Sequence, residues 1–169
     1  MLLSALVLMV ACSGIEDNSD EEKFSFTGRG VFVLCEGNYQ AGNSTLSYYN
    51  PETRKVENGI FSRANEAKMV DTGQSIQIHD GIVYVAMEAS GTIWALDPRT
   101  VLVKGQLSAG QTEHMINPRY IHFLSSDKAY VTDLYSPYIT IFNPRTMQYV
   151  GSIPTGQPDA YGYCSTEEM

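Results

Sequence analysis

Ile139-Thr140-Ile141-Phe142-Asn143-Pro144-Arg145-Thr146 is a run of β-branched and aromatic residues that leads straight into an Asx-Pro turn. The same turn stands upstream as Asp97-Pro98-Arg99-Thr100 and Asn50-Pro51-Glu52-Thr53, at intervals of 46 and 47 residues. Pro at the second position pre-sets φ, and the Asx side chain accepts hydrogen bonds from the backbone just beyond it. Each motif therefore reads as a hairpin turn between strands. The likeness extends past the turn. Laying residues 84–111 on 130–157 pairs Tyr84 with Tyr130, Val85 with Val131, Ser90 with Ser136 and Ile93 with Ile139. In all, ten of 28 positions agree without a gap, where ordinary residue frequencies give about two.

A period of this length marks units that bury their faces only against their neighbours, as the blades of a β-propeller do. The third unit predicts strands at Arg119–Leu124, Lys128–Asp133, Tyr138–Phe142 and Tyr149–Ile153. The second predicts Ser75–Ile78, Ile82–Met87, Thr92–Leu96 and Leu102–Leu107. The first predicts Val31–Glu36, Thr45–Tyr49 and Lys55–Phe61, with Phe24–Thr27 as a closing strand. His79-Asp80-Gly81 and Ser125-Ser126-Asp127 supply the remaining hairpin turns. The expected fold is all-β, a propeller of four-stranded antiparallel blades with about three blades present. The repeats run over about 28–70, 71–116 and 117–158, and a fourth starts from 159.

Residues before the repeats read differently. Leu2 to Ala11 is an apolar run of ten ending in a small residue and then Cys12. That is too short to span a bilayer and suits the core of a secretion signal. Met9-Val10-Ala11-Cys12 resembles a bacterial lipoprotein box, which implies that residues 1–11 are a lipoprotein signal peptide and Cys12 the lipidated residue; an ordinary signal peptide with an incidental Cys competes. Residues 12–27 carry Glu16, Asp17, Asp20, Glu21 and Glu22 among few apolar residues, the composition of an acidic tether. Cys35 and Cys164 end apolar runs and belong to no CxxC pair. Buried free thiols are the expectation, with a disulfide left open.

Composition excludes some functions. The chain has 11 Lys+Arg against 19 Asp+Glu and a net charge of -8. It holds no run of cations of the sort that releases counterions from a phosphate backbone, so nucleic acid is not an expected partner. There is no Gly-x-Ser-x-Gly, no His-Glu-x-x-His and no phosphate-cradling glycine loop.

Lys128-Ala129-Tyr130-Val131-Thr132-Asp133, the Ile139–Thr146 run and Val150-Gly151-Ser152-Ile153-Pro154-Thr155-Gly156-Gln157-Pro158 resemble the YVTN-type propeller repeat over about residues 30–160, with Asp133 in place of the usual Asn. The opening Gly30-Val31-Phe32-Val33-Leu34-Cys35-Glu36-Gly37-Asn38, followed by Leu46-Ser47-Tyr48-Tyr49-Asn50, resembles the start of the YncE-like (DUF5074) surface lipoproteins of Bacteroidetes. That resemblance implies a seven-bladed parent, of which this chain is an N-terminal fragment. It also implies an outer-membrane, cell-surface protein that captures a ligand, with cobalamin or another corrinoid as the ligand and a TonB-dependent transporter as the partner. No cofactor is required by this reading. A protein- or glycan-binding scaffold is the alternative, and a lactonase- or quinoprotein-like propeller enzyme ranks behind both.

In a propeller, the loops joining second to third strands and those entering each first strand share one face. Here they supply Tyr39, Gln40, Met87, Glu88, His114, Asn117, Asp133, Tyr135 and Tyr161. Tyr offers a flat apolar ring with a polar tip, and Asn, Gln and His offer directed hydrogen bonds. That mixture suits a large amphipathic ligand, although polar loops rich in Tyr are also ordinary in β proteins. His79, His114 and His122 fall at unrelated positions of the repeat, so no metal site is expected. Arg99 and Arg145 recur at one turn position and read as residues of a structural turn, solvated or paired with the next blade.

Overall fold

The computed structural model describes residues 25–26, 28–156 and 166. Cys12, Cys164 and Tyr161 lie outside the described residues, as do the expected signal peptide and most of the tether. The described chain forms three antiparallel sheets. Sheet one orders β1 (Val31–Cys35), β2 (Thr45–Asn50) and β3 (Lys55–Glu57). A short helix, α1 (Ile60–Asn65), leads to sheet two. Sheet two orders β4 (Gly73–His79), β5 (Ile82–Met87), β6 (Thr92–Leu96) and β7 (Val103–Ser108). Sheet three orders β8 (Pro118–Ser125), β9 (Lys128–Asp133), β10 (Tyr138–Asn143) and β11 (Gln148–Pro154). These are propeller-like blades, here numbered one to three, and the fold is the all-β one that the repeat predicts.

The Asx-Pro turns form as the sequence requires. Oδ1 of Asn50 accepts from the N–H groups of Glu52 and Thr53, at 2.9 and 3.1 Å. Oδ1 of Asp97 accepts from Arg99 and Thr100, at 2.9 and 3.0 Å. Oδ1 of Asn143 accepts from Arg145 and Thr146, at 3.0 and 3.3 Å. The residue after each turn, Arg54, Val101 or Met147, then takes φ of 57°, 60° or 56°. A left-handed φ costs an L-residue about 1–2 kcal/mol, and even the β-branched Val101 accepts it because the turn closes around it. Its N–H donates to Asp97 O at 2.8 Å. Arg99 and Arg145 are both exposed.

Alternation in the strands divides the core into two layers. Val83, Val85, Met87 and Leu96 of blade two pack toward Leu46 and Tyr48 of blade one. Tyr84, Ala86, Ile93 and Ala95 pack toward Ala129, Val131 and Phe142 of blade three. Each Val, Leu, Ile, Met or Phe side chain among these, buried fully, contributes about 1.5–3 kcal/mol of hydrophobic stabilisation. Tyr84 ties the second layer down further by donating its hydroxyl to Pro144 O at 3.1 Å. Burial, and secondarily the charge of Asp80, holds that hydroxyl above the ordinary tyrosine pKa.

Two sequence expectations need correction, both in blade one, whose closing strand expected at Phe24–Thr27 lies partly outside the described residues. Its last strand stops at Glu57 rather than Phe61, because Gly59 (φ 62°) turns the chain and residues 60–65 coil into α1. This places Ile60 and Phe61 in the layer beneath blade two. Asn65 fixes the helix by donating Nδ2 to Phe61 O and Val101 O, each at 3.0 Å, and accepting from Val103 N–H at 2.9 Å. Cys35, expected to be buried, is exposed, because its side of β1 faces away from blade two.

Candidate functional site

Strand direction sorts the loops into two ends. The Asx-Pro turns occupy one; residues 36–44, 66–72, 88–91, 109–117 and 134–137 occupy the other. The candidate residues belong to this loop end, and the structure gives them different tasks.

Asp133, at the end of β9, is 1% exposed. Its Oδ1 accepts from Tyr135 and Ser136 N–H, both at 2.9 Å. Its Oδ2 accepts from Ile116 and Asn117 N–H, at 2.7 and 2.9 Å. One carboxylate therefore clamps two loops. A charged acceptor suits this place, since each bond to a carboxylate is stronger than a neutral one. Its backbone is engaged as well: its N–H donates to Thr166 Oγ1 at 2.8 Å, and its carbonyl accepts from Thr166 N–H at 3.0 Å. Asn117 closes the clamp with its own carbonyl, accepting from Leu134 N–H at 3.0 Å.

The clamped loops present an apolar and aromatic surface. Tyr135 is 59% exposed and Ile116 51%. His114 is half-buried, with its ring stacked on Tyr138 at 3.7 Å and 11°. Its Nε2 lies 3.9 Å from Glu113 Oε2. Gly91 of blade two must be glycine here: its φ is 58°, and a Cβ would come within 2.8 Å of Ile116 O. Tyr39 stands out at 68% exposure on the long loop of blade one. Beside it, Gln40 takes φ 62° and donates its N–H to Asp71 Oδ2 at 2.7 Å. The Gln40 side chain is left exposed to solvent.

Glu88 and Met87 turn inward. Met87 is fully buried. Glu88 pairs with Arg119 Nη1 at 2.5 Å, and the same nitrogen donates to Gln74 Oε1 at 3.2 Å. This buried cluster joins the inner strands β4 and β8, as does Ser75 Oγ donating to Arg119 O at 2.5 Å. Sequence reasoning passed over Gln74 and Arg119. The available signal was a charged residue opening a strand that is otherwise expected to be apolar, since a buried charge demands a partner.

The enzyme alternative asks Glu36, Glu88 and Asp133 to converge with reactive carboxylates. Glu88 is engaged by Arg119, and Asp133 by four backbone donors. Among the described residues, no three His, Cys, Asp or Glu side chains gather as a metal site. A separate cleft of about 220 Å³ is lined by Phe26, Tyr48, Thr53, Lys55 and Glu57, and it touches none of the loop-end residues.

Fold and site together define an array of propeller-like blades with one loop-rich, aromatic end. The family described as Domain of unknown function (DUF5074) matches residues 29–162, and the chain belongs to it. Among solved structures, the glutaminyl cyclase of Myxococcus xanthus aligns at 12% identity with a TM-score of 0.44. The alignment covers 78% of this chain and 51% of the cyclase, so the chain spans about half that protein's length. No curated protein matches the chain.

Proposed function

We propose that the loop end captures a flat amphipathic small molecule, and that the protein is a binder rather than a catalyst. One observation carries this reading: Asp133 holds the two loops that expose Tyr135 and Ile116 beside the His114–Tyr138 stack. Loops already fixed by a buried clamp lose little freedom on binding, and such preorganisation favours affinity. Flat aromatic contact, with the amides of Gln40 and Asn117 at the same end, suits a corrinoid, whose apolar ring bears amides on its rim.

The choice of cobalamin rests on the resemblance of the opening strand to surface lipoproteins. On the same ground we assign a TonB-dependent transporter as the recipient of the ligand, and on the resemblance of Met9-Val10-Ala11-Cys12 to a lipoprotein box we assign Cys12 as a lipid anchor in the outer membrane. A second reading, capture of a glycan or a protein, is favoured by the open ring faces of Tyr39 and Tyr135, which would equally stack on sugars. No helix among the described residues is long and apolar enough to cross a membrane.

Isothermal calorimetry of the full chain with cyanocobalamin tests the proposal. Saturable heat is expected, with affinity falling about tenfold in Tyr135→Ala, the loss of one aromatic contact. Absence of heat removes the corrinoid. Binding of oligosaccharides through the same tyrosine would establish the second reading instead.

A further inference from the structure

One loop at the loop end departs from the repeat. Nine residues, 36–44, join β1 to β2, where four, 88–91 and 134–137, join the equivalent strands of blades two and three. The extra length folds into a compact surface loop whose ends are tied together. Ser44, 4% exposed, forms the tie: its hydroxyl donates to Glu36 O at 2.5 Å and accepts from Gly73 N–H at 2.9 Å. Above this base the tip holds its own shape. Asn38 N–H donates to Asn43 Oδ1 at 2.8 Å, and Ala41 N–H to Asn38 O at 3.0 Å. Between base and tip stands Gly37, at φ 78°, where a Cβ would come within 2.6 Å of Asn43 Oδ1 and 2.8 Å of Ser44 N. Tyr39 rides on the tip, exposed.

The tip is fastened to the entry of blade two by Gln40, whose N–H donates to Asp71 Oδ2 at 2.7 Å. The residues on either side of that carboxylate are Val70 (φ 67°) and Thr72 (φ 58°), two β-branched residues in the left-handed region. No Asx-Pro turn imposes this conformation on them, as one does on Val101. Strain of this kind persists only where surrounding contacts hold it, and it concentrates in functional segments. Here Ser44 N–H donates to Val70 O at 3.4 Å, Glu88 N–H to Thr72 O at 2.7 Å, and Thr72 Oγ1 to Asp71 Oδ1 at 3.2 Å. Ser44, Thr72 and Glu88 are buried. The Gln40 bond is exposed, so water competes for it and the tip can open while the bracing stays closed. We propose that loop 36–44 is a hinged lid, with Gly37 as its hinge and Asp71 as its latch, which opens to admit a ligand to the loop end and closes Tyr39 onto it. Asp71 is then a positioning residue that holds the tip in place. What the lid covers rests on the binding reading above; its motion rests on the geometry of the loop itself. A closed lid shields the ligand from water, so its effect falls on dissociation.

Residue-resolved amide hydrogen exchange of the full chain tests the lid without any ligand. In Asp71→Ala the Gln40 amide is expected to exchange about tenfold faster, by loss of one hydrogen bond to a charged acceptor. The amides of Ser44 and Glu88, in the base and the bracing, are expected to keep their wild-type rates. Asp71→Asn keeps an acceptor and should bring Gln40 back to within about threefold of wild type. An unchanged Gln40 rate in Asp71→Ala overturns the latch. Equal acceleration at Ser44 and Glu88 overturns the hinge, because the segment then opens by wider unfolding. Cyanocobalamin is the probe for closure. Where calorimetry shows binding, saturation should slow Gln40 exchange about tenfold further, and Asp71→Ala should release the corrinoid about tenfold faster in stopped flow. Heat with no slowing at Gln40 overturns the lid and leaves the binding reading intact. Absence of heat removes the corrinoid instead, and the exchange rates of the ligand-free variants decide the lid.

Discussion

Val33 and Val85 occupy one register position in successive blades, yet Val33 is 45% exposed and Val85 is 0% exposed. Residue type, strand and alternation are the same. The neighbour differs: Leu46 and Tyr48 of blade one lie against Val85, while no sheet among the described residues lies on Val33. In a repeat protein, burial thus belongs to the junction between units, and a strand acquires its energetic weight from the blade beside it. The loop end teaches the same lesson in polar terms. Met87 and Asp133 are equivalent by the repeat, one an apolar core residue and the other a carboxylate holding four backbone donors.

The largest effect is expected where that second comparison is broken. Asp133→Ala leaves four backbone N–H groups without their acceptor and should cost about 3–4 kcal/mol in urea unfolding. Asp133→Asn should recover at most half of the loss, because only one of its two side-chain heads accepts. If either variant matches wild type, the clamp is not what orders the loops.

The valine pair comes next. Val85→Ala should cost about 2 kcal/mol, from lost burial and the cavity left behind. Val33→Ala should stay within about 0.5 kcal/mol in dilute solution. Equal costs would mean that the two faces are not in the environments described.

Much of this fold is legible in the sequence because local signals agree with one another. Ile82–Met87, Thr92–Leu96 and Lys128–Asp133 are strands with the expected bounds, each set by a turn motif and an uninterrupted β-prone run. Where packing overrides a local signal, the reading fails. Ile60 and Phe61 look like the end of a strand, but Gly59 redirects them into a helix whose position depends on Val101 and Val103, some forty residues away. At the site, the exposed tyrosines are legible as loop residues. The task of Asp133 is not, since its donors on Ile116 and Asn117 come from a loop 16 and 17 residues earlier.

The smallest effect compares the three turns. The backbone N–H of Thr100, then that of Arg99, hold the Asp97 carboxyl below its ordinary pKa of 3.8. A depressed folded-state pKa adds stability above the unfolded value, and this is lost as pH falls through the folded one. Asp97→Asn keeps the acceptor, as Asn50 and Asn143 do, and removes the titration. The variant should therefore lose less stability than wild type below about pH 4. A parallel decline in both proteins would show that the turn bonds do not depend on the charge.

The central claim is that one strand position is open in blade one and sealed in blade two. Thiol labelling, mapped by peptide mass, tests it most directly by comparing Cys35 with a Met87→Cys variant in dilute solution. Cys35 is predicted to label at the rate of an exposed thiol, and the cysteine at 87 only after unfolding. Similar rates at the two positions would contradict the account.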